Sequence, residues 1–187
     1  TDNNTKRYEG EYDARWIFQE GDLVIVMTDL TKDCNLLGKP AIINSKEAIL
    51  HNQRIGKLVP NEQIDKLYLY HSLLSRKYLD WIRNTATGTT VRHTSNKSIY
   101  QAEIWLPPLP EQKKIAEILT KWDELIEVQS QLIAAKEQQK KGLMQKLLTG
   151  ELRFPGFSGE WEEVRLENIC IKKSSSLSAN SLGDNIG

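Results

Sequence analysis

Forty consecutive residues, Pro110 to Thr149, contain no proline after the first position and only one interior glycine, Gly142. The run opens behind Pro107, Pro108 and Pro110 and closes on Gly150. Proline is tolerated in the first turn of a helix, where its missing N–H costs nothing, and Glu111 there faces the positive end of the helix dipole. Glycine just past the last turn is a common helix stop. The pattern predicts one helix of 40 residues, about 60 Å long, against roughly 11 residues for an ordinary globular helix.

Its apolar positions recur at heptad spacing. Ile118 and Leu119, Leu125 and Ile126, and Leu132 and Ile133 return every seven residues. Ile115, Trp122 and Leu143 share another phase, interrupted by Gln129 and Lys136. A second apolar patch, Leu143, Met144, Leu147 and Leu148, follows a polar middle. One helix cannot bury such a stripe against itself, so the pattern calls for a partner helix in this chain or another. Lys136, Lys140, Lys141 and Lys146 against Glu137 read first as the solvated face of a coiled coil.

Upstream, residues 1–106 alternate between two periods. Leu23 to Met27 behind Gly21-Asp22, Ala41 to Ile43 behind Pro40, Ile49-Leu50, and Ile55 to Val59 read as short strands separated by polar turns. Ile64, Leu67, Tyr68, Tyr70, His71, Leu74, Tyr78, Trp81 and Ile82 largely fit one amphipathic helix over residues 62–83. Ile104-Trp105-Leu106 reads as another strand. Downstream of Gly150, Phe154-Pro155-Gly156-Phe157 is a turn-rich aromatic linker, with a short strand or helix start near Ile169 and a serine-rich end.

Charge and cysteine content narrow the function. The 187 residues carry 25 Lys+Arg and 25 Asp+Glu, so no large uncompensated positive field exists of the kind a polybasic DNA binder uses. The longest apolar runs are a few residues, too short for a bilayer span, and the first residues do not resemble a secretory signal. Cys34 and Cys170 lie far apart without metal-ligand spacing, as expected of reduced thiols in a cytoplasmic protein.

No catalytic constellation is visible. His51, His71 and His93 are about twenty residues apart, and His71 suits a hydrogen-bonded structural histidine on the helical apolar face. Gly38-Lys39-Pro40 is not a phosphate-binding loop, and there is no strand-to-helix serine elbow. Glu111-Gln112-Lys113 has the acid-x-Lys form of half a nuclease site, but a carboxylate there is an ordinary dipole partner.

One segment is unusual in its charge. Residues 83–97 hold Arg83, Arg92, His93 and Lys97 with no acid, together with Thr89, Thr90 and Asn96. Cations, small hydroxyls and a glycine that permits close backbone approach suit a phosphate-contacting loop, although a polar surface loop has a similar composition.

The helix start Leu106-Pro107-Pro108-Leu109-Pro110-Glu111-Gln112-Lys113-Lys114-Ile115, the helix end Lys141-Gly142-Leu143-Met144-Gln145-Lys146-Leu147-Leu148-Thr149-Gly150, and Phe154-Pro155-Gly156-Phe157 closely resemble the specificity (S) subunit of type I restriction-modification enzymes. Gly21 to Ile25, Ile49 to Ile55 and Gly88 to Ile99 resemble its target-recognition domain, and Trp161 to Leu166 the opening of the next one. The resemblance implies an α/β (α+β) target-recognition domain followed by a long coiled-coil-forming spacer helix. Residues 1–106 would be part of a recognition domain, 107–150 the spacer helix, and 151–187 the start of a second recognition domain or a polar tail. Against the two-domain, two-helix family pattern this is a partial chain.

The implied function is non-catalytic and needs no cofactor: sequence-specific recognition of double-stranded DNA in the cytoplasm. An S subunit directs methyltransferase (M) subunits, and through them the restriction (R) subunit, to a bipartite site. Arg83, Thr89, Thr90, Arg92, His93, Asn96 and Lys97 are the expected DNA contacts, with Arg92 and Lys97 on phosphate or guanine edges. Ile115, Ile118, Leu119, Trp122, Leu125, Ile126, Leu132, Ile133, Leu143 and Leu147 are the expected helix-pairing residues, with a homodimer through the spacer helix as one arrangement. A coiled-coil scaffold or adaptor without direct DNA binding is the competing reading.

Overall fold

The computed structural model describes residues 8–31 and 33–171. The chain divides into two compact units, Thr1–Gln129 and Ser130–Gly187.

In the first unit a three-residue 3-10 turn, Ala14–Trp16, precedes β1 (Ile17–Phe18), β2 (Leu23–Val26), β3 (Thr28–Asp29), β4 (Pro40–Ile42), β5 (Ile49–Leu50) and β6 (Ile55–Leu58). Then come α1 (Lys66–Ser72), α2 (Arg76–Thr85), β7 (Arg92–His93) and α3 (Asn96–Tyr100), and last α4 (Leu109–Leu148), which continues into the second unit. There α5 (Leu166–Ile169) is a single turn.

The first strand predicted from the sequence, β2, is the centre of the main sheet. It pairs antiparallel with β4 on one side and β6 on the other, with Val24 opposite both Ala41 and Lys57. Leu23, Val24 and Ile25 are all buried, which accounts for an uninterrupted apolar run where a half-exposed strand would alternate. Two small ribbons, β1 with β5 and β3 with β7, flank it. Ile25 packs with Cys34, Leu37, Leu73, Tyr78 and Ile82 to form the core.

Three sequence expectations change. The single helix over residues 62–83 is two helices. Asp65 caps α1 by accepting from the N–H groups of Leu67 and Tyr68, and Ser75 caps α2 from Tyr78. Ser75 offers its hydroxyl to the backbone where a continuing helix would need it exposed, and Leu73 turns into the core at the break. Residues 104–106 form no strand. Pro107 and Pro108 cannot supply ladder N–H groups, and the segment is held instead by the Tyr68 hydroxyl, which donates to the Trp105 carbonyl at 2.9 Å. The polar stretch of residues 84–97 is partly regular, containing β7 and the first turn of α3.

The buried Asp29 holds Thr31, Leu36 and Leu37 of the following loop. Its carboxylate accepts from the N–H groups of Thr31 (2.8 Å), Leu36 (2.6 Å) and Leu37 (3.1 Å) and from the Thr31 hydroxyl (2.8 Å). Burial pushes the Asp29 carboxyl up, but these four donors together hold it below the ordinary carboxylate value. A depressed pKa stabilises the fold above the unfolded value, near pH 4, and that contribution disappears as pH falls through the folded one. Asp29→Asn is expected to cost about 1–3 kcal/mol at neutral pH, because an amide cannot accept from all four donors. Urea melts at pH 7 and pH 3 should show the difference between wild type and variant shrinking in acid.

Candidate nucleic-acid interface and helix-pairing face

The acid-free segment is built on the end of α2. Thr87 and His93 exchange two backbone hydrogen bonds of 2.9 Å, closing a tip of residues 88–92. Gly88 has φ +91, and a Cβ there would come within 2.0 Å of the Val91 carbonyl oxygen, so the tip admits no other residue without rearranging. Arg92 ties this tip down. One guanidinium nitrogen donates to the Gly88 carbonyl at 2.8 Å and the other to the Arg83 carbonyl at 3.3 Å. The second bond reaches the last turn of α2, where the helix dipole favours a cation.

Beyond the tip, β7 pairs with β3, placing His93 opposite Thr28, with His93 Nδ1 3.0 Å from the Thr28 hydroxyl. Thr94 is buried and its N–H donates to the Met27 carbonyl at 3.0 Å. Ser95 then caps α3 through the Ser98 N–H, leaving Asn96 and Lys97 exposed on the first turn. Six of the seven predicted DNA contacts therefore lie on one hairpin and the short helix that follows it, and the seventh, Arg83, lies on the last turn of α2. They are not equivalent. Thr89, Thr90, His93, Asn96 and Lys97 are exposed. Arg83 is ion-paired with Asp80 at 3.1 Å, and Arg92 is half-buried and bonded to two carbonyls. Backbone-carbonyl partners such as those of Arg92 leave no trace in local composition.

Helix α4 docks on the domain through a stripe other than the apolar one expected to pair with a second helix. Within the first unit the helix buries Gln112 and Ala116, with Thr120 half-buried on the same face at four-residue spacing. Gln112 is 1 % exposed and fully bonded: its carbonyl oxygen accepts from the Asp65 N–H at 2.9 Å, and its amide donates to the Gln63 carbonyl at 3.1 Å and the Pro107 carbonyl at 2.7 Å. The Thr120 hydroxyl lies 3.1 Å from His71 Nε2 on α1. Burial holds the His71 imidazole below its usual pKa, against the opposing pull of the Asp123 carboxylate. Sequence reasoning passed over Gln112; the signal was the polar and small stripe Gln112, Ala116, Thr120 running beside the apolar one.

The apolar stripe itself faces solvent. Ile118, Trp122 and Leu125 are 57 %, 61 % and 54 % exposed, and Leu119 and Ile126 are exposed too. Ile115 differs from the expected pairing set: it is half-buried and lines a groove with Tyr68, His71 and Trp105 of its own domain. In the second unit Leu132, Ile133, Leu143, Met144 and Leu148 are exposed and Leu147 is half-buried. There Gly150 ends the helix at φ +75, and Arg153 stacks over Trp161 at 4.9 Å. Among the described residues no three His, Cys, Asp or Glu side chains converge to hold a metal ion. No helix among them is long and apolar enough to cross a membrane.

A small antiparallel-sheet domain that hands its chain to a forty-residue helix with exposed apolar side chains defines a class of protein with a sheet domain and a long helix. Residues 1–138 match the type I restriction modification DNA specificity domain, and the chain belongs to that family. It is 32 % identical over 162 residues to the type I restriction enzyme MjaVIII specificity subunit of Methanocaldococcus jannaschii, an alignment covering 82 % of this chain and 36 % of the relative. It is 29 % identical over 175 residues to the EcoBI specificity subunit of Escherichia coli, covering 90 % of this chain and 35 % of that one. The chain thus spans about a third of the length of the curated relatives it matches. A crystal structure of the type I restriction-modification system S subunit from M. genitalium has the same fold over 68 % of this chain and 32 % of its own, with a TM-score of 0.52 at 19 % identity.

Proposed function

We propose that this chain recognises double-stranded DNA as part of a cytoplasmic type I specificity subunit. It is non-catalytic and directs M subunits, and through them the R subunit, to one half of a bipartite site. The observation that carries this reading is the acid-free hairpin of residues 87–93 with α3 behind it, an ordered, cationic, hydroxyl-rich edge in a chain of the DNA specificity family. On that edge Lys97 is the phosphate contact, and Thr89, Thr90, His93 and Asn96 are shorter-range donors. Arg92 and Arg83 act through the shape of the loop, since their guanidinium groups are engaged within the protein. The exposed stripe Ile118, Leu119, Trp122, Leu125 and Ile126, continued by Leu132 and Ile133, pairs with a second helix of the assembly, in the same subunit or in another copy.

The test is DNA binding by the chain co-produced with the M subunit of its system. Lys97→Ala should weaken binding about equally for all sequences and lower the slope of log affinity against log salt by about one. Failure of the wild-type complex to shift its target DNA at low salt would favour the scaffold reading instead.

A further inference from the structure

The loop proposed for DNA contact has a neighbour that is remote in sequence. Met27, just past the end of β2, donates its N–H to the Arg54 carbonyl at 2.8 Å, while its own carbonyl accepts from Thr94 N–H at 3.0 Å. The β5–β6 turn and the β7 segment are therefore both tied to one residue.

The charge of the two segments matches. Residues 48–61 contain no acid, as do residues 81–102. Together they hold five cations, Arg54, Lys57, Arg83, Arg92 and Lys97. Three have internal partners: Lys57 is 2.6 Å from Asp22, Arg83 is paired with Asp80, and Arg92 is bonded to carbonyls. Among the described residues that leaves Arg54 and Lys97, both exposed and neither in an ion pair, on the two segments that Met27 joins. The Asp29 carboxylate nearby on β3 is buried and fully occupied by loop donors, so it does not oppose them.

Arg54 also stands on a fixed platform. The Asn52 side-chain oxygen accepts from Arg54 N–H at 2.9 Å, and the His51 ring is bonded to the Ile55 carbonyl while lying 4.9 Å from the Phe18 ring. A turn held this way loses little entropy when its side chain engages a ligand.

We infer that Arg54 is a base-reading residue of the same DNA interface, with its planar guanidinium set against a guanine edge and Lys97 on phosphate. This rests on the DNA-recognition reading above. Arginine forks match guanine O6 and N7, whereas lysine is a point charge without that geometry. The two cations should therefore fail in different ways.

The experiment maps methylated sites in cells producing the chain with its M subunit, alongside binding measured at several salt concentrations. Arg54→Ala and Arg54→Lys should both relax the methylated motif at one base position, raising use of sites altered there about tenfold or more. Lys97→Ala should leave the motif intact and weaken binding with a shallower salt slope. An unchanged motif in both Arg54 variants, with Lys97→Ala still weakening binding, would overturn the inference and leave the DNA reading standing. Absence of any DNA binding or methylation by wild type would overturn the reading itself. Arg54→Lys keeps charge and aliphatic stem, so the test survives even if the alanine variant folds poorly.

Discussion

Gln112→Ala is expected to lower the stability of the first unit by about 3 kcal/mol, the largest effect of any single side chain at the root of α4. Three backbone groups at the seat of the buried Gln112 side chain lose their partner at once: the Asp65 N–H and the carbonyls of Gln63 and Pro107. An unsatisfied buried polar group costs about 1–3 kcal/mol, and partial access of water to the vacated space reduces the sum. The melting temperature should fall by roughly 10 °C, at about 3 °C per kcal/mol for a domain of this size. Amide exchange should rise first in residues 109–116 and at Asp65, the cap of α1. Gln112→Glu should be worse at neutral pH, because it keeps the acceptor for Asp65 but turns a carboxylate toward two carbonyls. A loss below about 1 kcal/mol in Gln112→Ala would mean that Ala116 and the His71–Thr120 contact hold the helix without it.

The role of Gln112 marks the boundary of what the amino-acid sequence reveals. Helix α4 was legible because its signals are local: prolines before it, glycine after it, seven-residue spacing within it. Strands β2 and β6 were legible for the same reason, as β-favouring runs between turns. Strands β3 and β7 were not, because Thr28-Asp29 and Arg92-His93 are polar and become strands only by meeting across more than sixty residues. The loop's acid-free composition pointed to residues 83–97, yet composition cannot distinguish a cation that faces outward from one bonded to a carbonyl nine residues away, as Arg92 is to Arg83. Nor did it reveal that Arg54 lies one backbone hydrogen bond from Met27, the residue the loop itself leans on. The face by which α4 docks was not legible either. A helix usually buries its most apolar stripe, but this one docks through Gln112, Ala116 and Thr120 and leaves Trp122 and Leu125 outside.

That inversion leads to the second large effect. Trp122→Glu with Leu125→Glu should leave the melting temperature of the isolated chain nearly unchanged, since both side chains are already more than half exposed. The same pair should abolish association with the partner helix. Burying a large apolar side chain contributes about 1.5–3 kcal/mol, so two lost anchors alone remove at least about 3 kcal/mol, or more than a hundredfold in affinity. Two carboxylates placed in a desolvated seam add a further penalty. Sedimentation of the chain alone and co-purification with the M subunit separate the arrangements. If both are lost, the stripe pairs two copies and that pairing is required for assembly. If only co-purification is lost, the partner helix belongs to the larger complex. Undiminished association in both would show that the stripe is not the pairing face, and would move that role to Leu143, Met144 and Leu148 in the second unit, where exposed apolar side chains lie beside Lys136 and Lys140.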